Sequence, residues 1–174
     1  MIPVLFCDSD SVYKNFPECD VYDLSRDAFT YYGNYPLICH PPCRLFSRLR
    51  AFSRADKKEK QCAFFALEKV RRYGGILEHP RSSTLWKNGG FNLDGSVDRY
   101  GGFLRSVNLS WFGFQCEKKT MLYFCGLSPK DLPPFPMSLI PPEKKISELG
   151  QNKRSATPEK MIKYFIDVIK IIKK

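Results

Sequence analysis

The stretch from Leu37 to Arg50, LICHPPCRLFSRLR, constrains the fold more than any other part of the chain. Its apolar run ends at Pro41-Pro42, because proline can neither continue a hydrogen-bonded strand ladder nor enter a helix interior. Cys43 is therefore expected on a loop just past a strand end, with a basic segment directly behind it. Ligands and reacting groups collect at strand ends in α/β folds. Cys43 is thus either a placed nucleophile beside a polyanion site or a packed thiol at a tight corner.

The composition is typical of a globular protein with an anionic partner. The chain has 174 residues, of which 43% are hydrophobic and 14% aromatic, and this length predicts one domain over residues 1–174. The net charge of +10 favours nucleic acid or a nucleotide as partner. The alternative is that the lysines only keep the protein in solution.

Cysteine usage and hydropathy predict a cytoplasmic protein with no membrane contact. The seven cysteines are unpaired in spacing, and neither a charged leader nor an apolar run of 18 residues is present. Cys39, His40, Cys43 and His79 include metal-ligand types, but the Cys-His-x-x-Cys spacing lacks a second pair, so we expect no metal.

Strand and helix patterns alternate along the chain. Short apolar runs predict strands at 3–7, 20–24, 35–39, 75–80, 106–110 and 120–125. Helices are expected at 25–32, at 56–72 behind an Asp56/Glu59 capping box, and at 157–173 behind a Thr157 N-cap with Pro158 in the first turn. Residues 81–102 predict a long loop, and the six prolines of 128–142 exclude regular structure. The alternation predicts a three-layer α/β fold with a mostly parallel sheet.

Three of these strands end on chemically important residues, which are Asp23, Pro42-Cys43 and Glu78-His79. The carboxyl ends of parallel strands share one edge of a sheet. We therefore expect Cys43 and Glu78 to be neighbours.

Four blocks in residues 37–174 carry a family resemblance. They are Pro41-Pro-Cys-Arg-Leu-Phe-Ser47, Leu77-Glu-His-Pro80, the run from Trp111-Phe-Gly through Lys119-Thr-x-Leu-Tyr to Gly126-Leu, and Arg154-Ser-x-Thr-Pro158. In this order they resemble the Pro-Pro-Cys-x-x-Phe-Ser motif, the Glu-Asn-Val or Glu-Asn-Pro motif and the two later blocks of short phage-type DNA cytosine-5 methyltransferases. The resemblance implies a methyltransferase-like, Rossmann-like fold and a phage or mobile-element origin.

The resemblance also implies roles for individual residues. Cys43 would attack C6 of a cytosine as nucleophile, and Glu78 would hydrogen-bond N3 of the base. Nearby Arg44 would help lower the thiol pKa, and a carboxyl in an apolar site stays protonated enough to donate. Pro42, Ser47, His79 and Lys119 would contact the substrate. S-adenosylmethionine would be the methyl donor, with Asp8, Asp23, Ser155 and Thr157 as its candidate binding residues.

The chain departs from the family at three places. The loop after the first strand contains no glycine, and a side chain at each position obstructs close backbone approach to a cofactor. His79 replaces the usual asparagine. The large target-recognition insert is absent between Gly126 and Ser155, so sequence-specific contact with duplex DNA is not expected.

The sequence therefore supports two functions from different classes. The first is a nucleic-acid or nucleotide pyrimidine-modifying transferase that uses Cys43. The second is a non-catalytic protein of the same fold that binds nucleic acid or sequesters a nucleotide-like ligand, for instance against a host defence. In either case five arginines are candidates for phosphate contact: Arg44, Arg48, Arg50, Arg54 and Arg81. Phe46 and Phe52 stand among them, either to stack on bases or to fill the core.

Overall fold

A computed structural model describes residues 1–47, 50–138, 140–142 and 144–172. Six strands form one sheet, with bounds β1 Ile2–Leu5, β2 Cys19–Tyr22, β3 Leu37–Cys39, β4 Gly75–Pro80, β5 Phe103–Asn108 and β6 Lys119–Cys125. The α-helices are α1 Glu59–Tyr73, α2 Leu85–Asn88, α3 Gln151–Ser155 and α4 Glu159–Ile171. The fold is therefore α/β, and each strand predicted from the sequence has a counterpart.

The sheet is mixed, with the strand order β2-β1-β3-β4-β6-β5. The pairings β1 with β2, β1 with β3 and β3 with β4 are parallel. The pairings of β4 with β6 and of β5 with β6 are antiparallel. The prediction of a mostly parallel sheet therefore fails for the sheet as a whole. Strand patterns report which residues are apolar and not the direction in which a strand runs, and β5 and β6 follow each other as an antiparallel pair.

Helices cover both faces of the sheet, and each face has its own apolar core. On one face α4 contributes Ile162, Phe165 and Ile169 to a cluster that includes Ile38 and Ile76 of the sheet. On the other face α1 packs Ala63, Ala66 and Val70 against a cluster that includes Leu37 and Leu77. Leu37 and Ile38 on β3, and Ile76 and Leu77 on β4, thus face opposite sides of the sheet, because successive side chains of a strand alternate between its two faces.

Gly75 holds β3 and β4 in close contact. Its φ is 134°, and a Cβ at this position would lie 2.0 Å from the carbonyl oxygen of Leu37. Only glycine tolerates this combination of backbone angle and approach. The two strands run parallel from this contact, so Glu78 and the loop that carries Cys43 follow at the same edge of the sheet.

Several predicted helix boundaries are wrong. Asp56 accepts a hydrogen bond from the Lys58 backbone at 2.9 Å, but the helix begins only at Glu59, so the capping box is absent. Residues 25–32 form only a short 3-10 turn at Ala28–Thr30, whereas the predicted loop 81–102 contains α2. The N-cap of α4 is Pro158 and not Thr157. The predicted end of that helix, Lys173, lies outside the described residues.

Within the described ranges, no helix is both long enough and apolar enough to cross a membrane.

Candidate functional site

The register of β3 and β4 forms the candidate site. Cys39 pairs with Leu77, so the next residues, His40 and Glu78, stand opposite each other at the edge where both strands end. Their side chains point to the face covered by α4, since the His40 ring lies 6.1 Å from the ring of Phe165. The double proline then turns the chain away and places Cys43 on the adjoining loop.

A hydrogen-bonded chain of three side chains runs along this edge. His40 Nδ1 lies 3.3 Å from Glu78 Oε2, and Tyr13 Oη lies 2.9 Å from His40 Nε2. The Tyr13 side chain is fully buried, and burial raises its pKa well above the ordinary value, so the hydroxyl keeps its proton. An ionised carboxylate only accepts, so Nδ1 carries the hydrogen donated to Glu78. Tyr13 in turn donates to Nε2, which fixes the tautomer and the orientation of the ring.

Glu78 is held in its charged form. Burial acts to raise its pKa, but the hydrogen bond from His40 and the nearby charge of Lys118 outweigh it and lower the pKa to about 2. The expectation that Glu78 remains protonated enough to donate is therefore wrong, because the sequence did not show that His40 donates to it. Its second oxygen, Oε1, is buried and has no partner among the described residues. A buried acceptor without a donor is costly, so Oε1 is the atom of this edge that a ligand N–H or O–H would satisfy.

Cys43 is half-buried on the loop after β3. Burial is the main cause that raises the pKa of its thiol, and the negative charge of Glu78 raises it further. The Lys118 and Arg44 charges lower it, without offsetting the other two. Arg44 therefore lowers the thiol pKa in the predicted direction, but its contribution is smaller than those of burial and Glu78. The Arg44 guanidinium forms an ion pair with Glu59 at the start of α1, and that carboxylate compensates its charge.

The lysine that bears on this site is Lys118, the neighbour of the predicted Lys119. The Lys118 charge acts on Cys43, Glu78 and His79, whereas the Lys119 side chain is exposed on β6. Lys118 Nζ donates to the carbonyl oxygen of Arg154 at 2.9 Å. This bond connects the segment that begins at Arg154 to the same edge.

His79 and Glu78 are adjacent in β4, so their side chains lie on opposite faces of the sheet. The His79 side chain is fully buried, with its ring 5.6 Å from that of Phe46 and 6.0 Å from that of Trp86. Burial lowers its pKa to about 4, so the ring is neutral at pH 7. Nε2 donates to the carbonyl oxygen of Pro42 at 3.5 Å, and Nδ1 has no partner among the described residues. His79 and Pro42 thus help to hold the Cys43 loop in place, and their contact with a substrate stays a prediction.

The candidate residues for S-adenosylmethionine do not fit that cofactor. Phe6, directly after β1, has a left-handed φ of 63° and packs its ring against Phe29 and Phe65 at centroid distances of 5.8 and 6.2 Å. A large side chain therefore stands where close backbone approach would require glycine. Asp23 forms an ion pair with Lys14 at 2.6 Å and accepts hydrogen bonds from the hydroxyl and the amide of Ser25, and these contacts hold its pKa well below the usual range. The Arg26 amide also donates to this carboxylate.

The remaining candidate cofactor residues add little to such a site. The Asp8 and Ser155 side chains are exposed, and Thr157 is half-buried beside the first turn of α4. Ser47, expected to contact substrate, instead donates from its hydroxyl to the carbonyl oxygen of Arg44 at 3.2 Å. No cofactor pocket can be assembled from these residues in the described conformation.

The predicted phosphate-contacting arginines differ in their surroundings where the structure describes them. Arg50, Arg54 and Arg81 are exposed. Arg44 is paired as described, and Arg48 lies outside the described residues. Phe46 is in the core with 2% exposure, whereas Phe52 is 84% exposed, so the two phenylalanines have different roles.

Three residues of the site could not be singled out in the sequence. Tyr13 and Lys118 belong to no recognised motif, and His40 was considered only as a metal ligand. The available signal for His40 was its place next to the first proline, one position before the loop. No group of three or more His, Cys, Asp or Glu residues in the described parts of the chain is placed to hold a metal ion.

Comparison with known proteins gives no family: no family model, no curated protein and no solved structure matches the chain significantly.

Proposed function

We propose that the protein is a pyrimidine-modifying enzyme of nucleic acid or nucleotides, similar to DNA cytosine-5 methyltransferases and of phage or mobile-element type, with Cys43 as nucleophile. The observation that carries the proposal is the parallel pairing of β3 with β4, because it places Glu78 and the loop that carries Cys43, distant in sequence, at the same edge of the sheet. Each belongs to a motif of the resembling family. The parallel strands β1 to β4 with helices on both faces are compatible with a methyltransferase-like domain.

The chemistry open to these residues is a reversible covalent addition. Sγ of Cys43, as thiolate, forms a bond to C6 of the pyrimidine while the C5–C6 double bond breaks. The electron pair moves to C5, which takes up a proton from solvent, and loss of a proton from C5 followed by departure of the thiolate restores the ring. The unpaired Oε1 of Glu78 would accept a hydrogen bond from the base and hold it at this edge.

The resting state of the thiol sets a requirement on this reaction. Burial and the Glu78 charge keep Cys43 protonated, so substrate binding must compensate part of that charge before the thiolate forms. A donor from the base to Glu78 does so, because it withdraws charge from the carboxylate. Lys118 supplies the positive charge that favours the thiolate.

The test follows hydrogen exchange at C5, which requires no cofactor. Cytosine in an oligonucleotide and free deoxycytidine monophosphate are incubated with the protein in D₂O, and deuterium at C5 is measured by mass spectrometry. We expect incorporation with the unaltered protein and none with Cys43→Ser. Glu78→Gln, which keeps the shape of the side chain, should slow the exchange by at least tenfold. Absence of exchange in every substrate would reject the enzyme.

A second candidate function is favoured by other observations. The left-handed Phe6, the engaged Asp23 and the protonated Cys43 all suit a non-catalytic protein that binds nucleic acid or sequesters a nucleotide-like ligand. This protein would bind its ligand equally well with Cys43→Ser and would show no exchange at C5. Binding and exchange measured on the same two variants therefore separate the two functions.

A further inference from the structure

A shallow groove of about 400 Å³ lies beside the Cys43 loop on the α1 face of the sheet. Its lining comes from three separate segments of the chain. These are the loop after β3 (Leu45, Phe46, Arg50), the first half of α1 (Lys60, Phe64) and the region of α2 (Thr84, Lys87, Asn88).

The groove is joined to the Cys43 loop by backbone hydrogen bonds. The Phe46 amide donates to the Cys43 carbonyl oxygen at 3.0 Å, and the Thr84 amide donates to the Phe46 carbonyl oxygen at 3.0 Å. Phe46 is buried and therefore fixes the position of this turn. A ligand in the groove would lie next to the loop that carries the thiol.

The charge of the groove is positive and uncompensated. Arg50, Lys60 and Lys87 are all exposed, and within the described ranges none of the three forms an ion pair with a carboxylate. The Arg50 guanidinium donates to the carbonyl oxygen of Ser47, at 3.2 Å. Three cations that line one concave surface attract phosphate groups. When such cations bind the phosphates of a nucleic acid, the counterions of those phosphates are released, which favours binding.

The groove also presents an aromatic surface. Phe64 is 45% exposed, and its ring meets that of the buried Phe46 at 6.1 Å in an edge-to-face arrangement. The buried Phe46 therefore fixes the position of the Phe64 ring, while nearly half of the Phe64 side chain remains exposed to solvent. An exposed aromatic ring between cations is the combination that binds single-stranded nucleic acid, because a base within a duplex has no free face.

From this combination we infer that the groove is a binding site for single-stranded nucleic acid, with Lys60 and Lys87 on phosphates and Phe64 stacked on a base. The inference rests on the proposed function only in taking nucleic acid as the partner and is independent of the Cys43 chemistry. Among the arginines predicted to contact phosphate that the structure describes, Arg50 lines this groove.

The experiment measures fluorescence anisotropy of a labelled 12-nucleotide single strand and of the matching duplex at several salt concentrations. Lys60→Glu and Lys87→Glu are each expected to weaken single-strand binding several-fold. The double variant should also reduce the slope of log K against log salt by more than one unit. Lys130→Glu is the matched control, because it makes the same charge change at an exposed position on the loop after β6, away from the groove. It should change the affinity less than twofold.

A further variant separates stacking from charge. Phe64→Ala should weaken single-strand binding roughly tenfold and leave duplex binding nearly unchanged, with circular dichroism as the check that the helix is intact. Equal losses in Lys130→Glu and in the groove variants, or tighter binding of duplex than of single strand, would overturn the inference.

The outcome for the groove is distinguishable from the outcome for the enzyme. Exchange at C5 of free deoxycytidine monophosphate tests Cys43 without a strand. Groove-dependent binding without any exchange retains the groove and rejects the enzyme. If exchange occurs at C5 but single-strand binding does not change in the groove variants, the enzyme is retained and the groove is rejected.

Discussion

His40 Nδ1 lies 3.3 Å from Glu78 Oε2, and this contact decides the charge of the candidate site. Burial alone would raise the pKa of the Glu78 carboxyl, and the hydrogen bond from His40 is the largest contribution that opposes it. With it, the carboxylate stays ionised and raises the pKa of Cys43, so one imidazole sets the protonation of two groups.

Replacing His40 tests this contact directly. We expect His40→Leu to raise the pKa of Glu78 from about 2, because burial remains while the main stabilising hydrogen bond is lost. The titration is followed by NMR through the side-chain carboxyl ¹³C signal of Glu78, which is assigned by its loss in Glu78→Gln. Tyr13→Phe keeps the His40–Glu78 contact and should raise this pKa much less. Equal shifts in both variants would mean that general loosening, and not the donor, is responsible.

The lowered pKa of the buried His79 predicts that the protein loses stability at mildly acidic pH. The pKa of His79 falls from 6.5 to about 4 on folding, so the unfolded chain binds the extra proton between these values. The corresponding stability is complete above pH 6.5 and is lost as the pH falls to 4, by roughly 3 kcal/mol at most. Urea unfolding at pH 7 and pH 5 should show a smaller drop for His79→Asn than for the unaltered protein. Leu85→Ala, buried in the same cluster, should lower stability similarly at both pH values.

The reactivity of Cys43 reports on its charged neighbours. Glu78→Gln should lower the thiol pKa and accelerate alkylation by iodoacetamide at pH 8 several-fold, since thiolate is the reactive form. Lys118→Met should slow alkylation, because it removes a positive charge that lowers this pKa. Peptide mass spectrometry distinguishes Cys43 from the other six cysteines. Lys119→Met is the control, and a rate change as large as that of Lys118→Met would show that the site cation is misidentified.

Phe6 offers a test of backbone strain. Both Phe6→Ala and Phe6→Gly lose the ring contacts with Phe29 and Phe65, which costs about 2 kcal/mol for a half-buried ring. Only glycine also relieves the φ of 63°, so Phe6→Gly should be more stable than Phe6→Ala by about 1 kcal/mol. Chemical denaturation of the two variants measures the difference. The opposite order would show that the left-handed angle is not strained.

Features that depend only on neighbouring residues, such as strands and loops, could be predicted from the sequence. The apolar runs located all six strands, and the prolines after Cys39 located the Cys43 loop. What the sequence could not show depends on long-range geometry, such as the antiparallel placement of β6 and the three-residue hydrogen-bonded chain at the edge. Arg44 illustrates the reason: its neighbour in sequence is Cys43, but its partner in the fold is Glu59 on α1. Likewise Lys118 reaches the site only because β6 pairs with β4.

The groove beside Cys43 has a consequence for folding. Its cations lie on three segments that are separated in the unfolded chain, so the convergent site exists only after β3, α1 and α2 have packed together. A nucleic acid that prefers this site would bind the native state more tightly than the unfolded chain. It would therefore raise the melting temperature by mass action. A basic tail that binds equally in both states would leave the melting temperature unchanged.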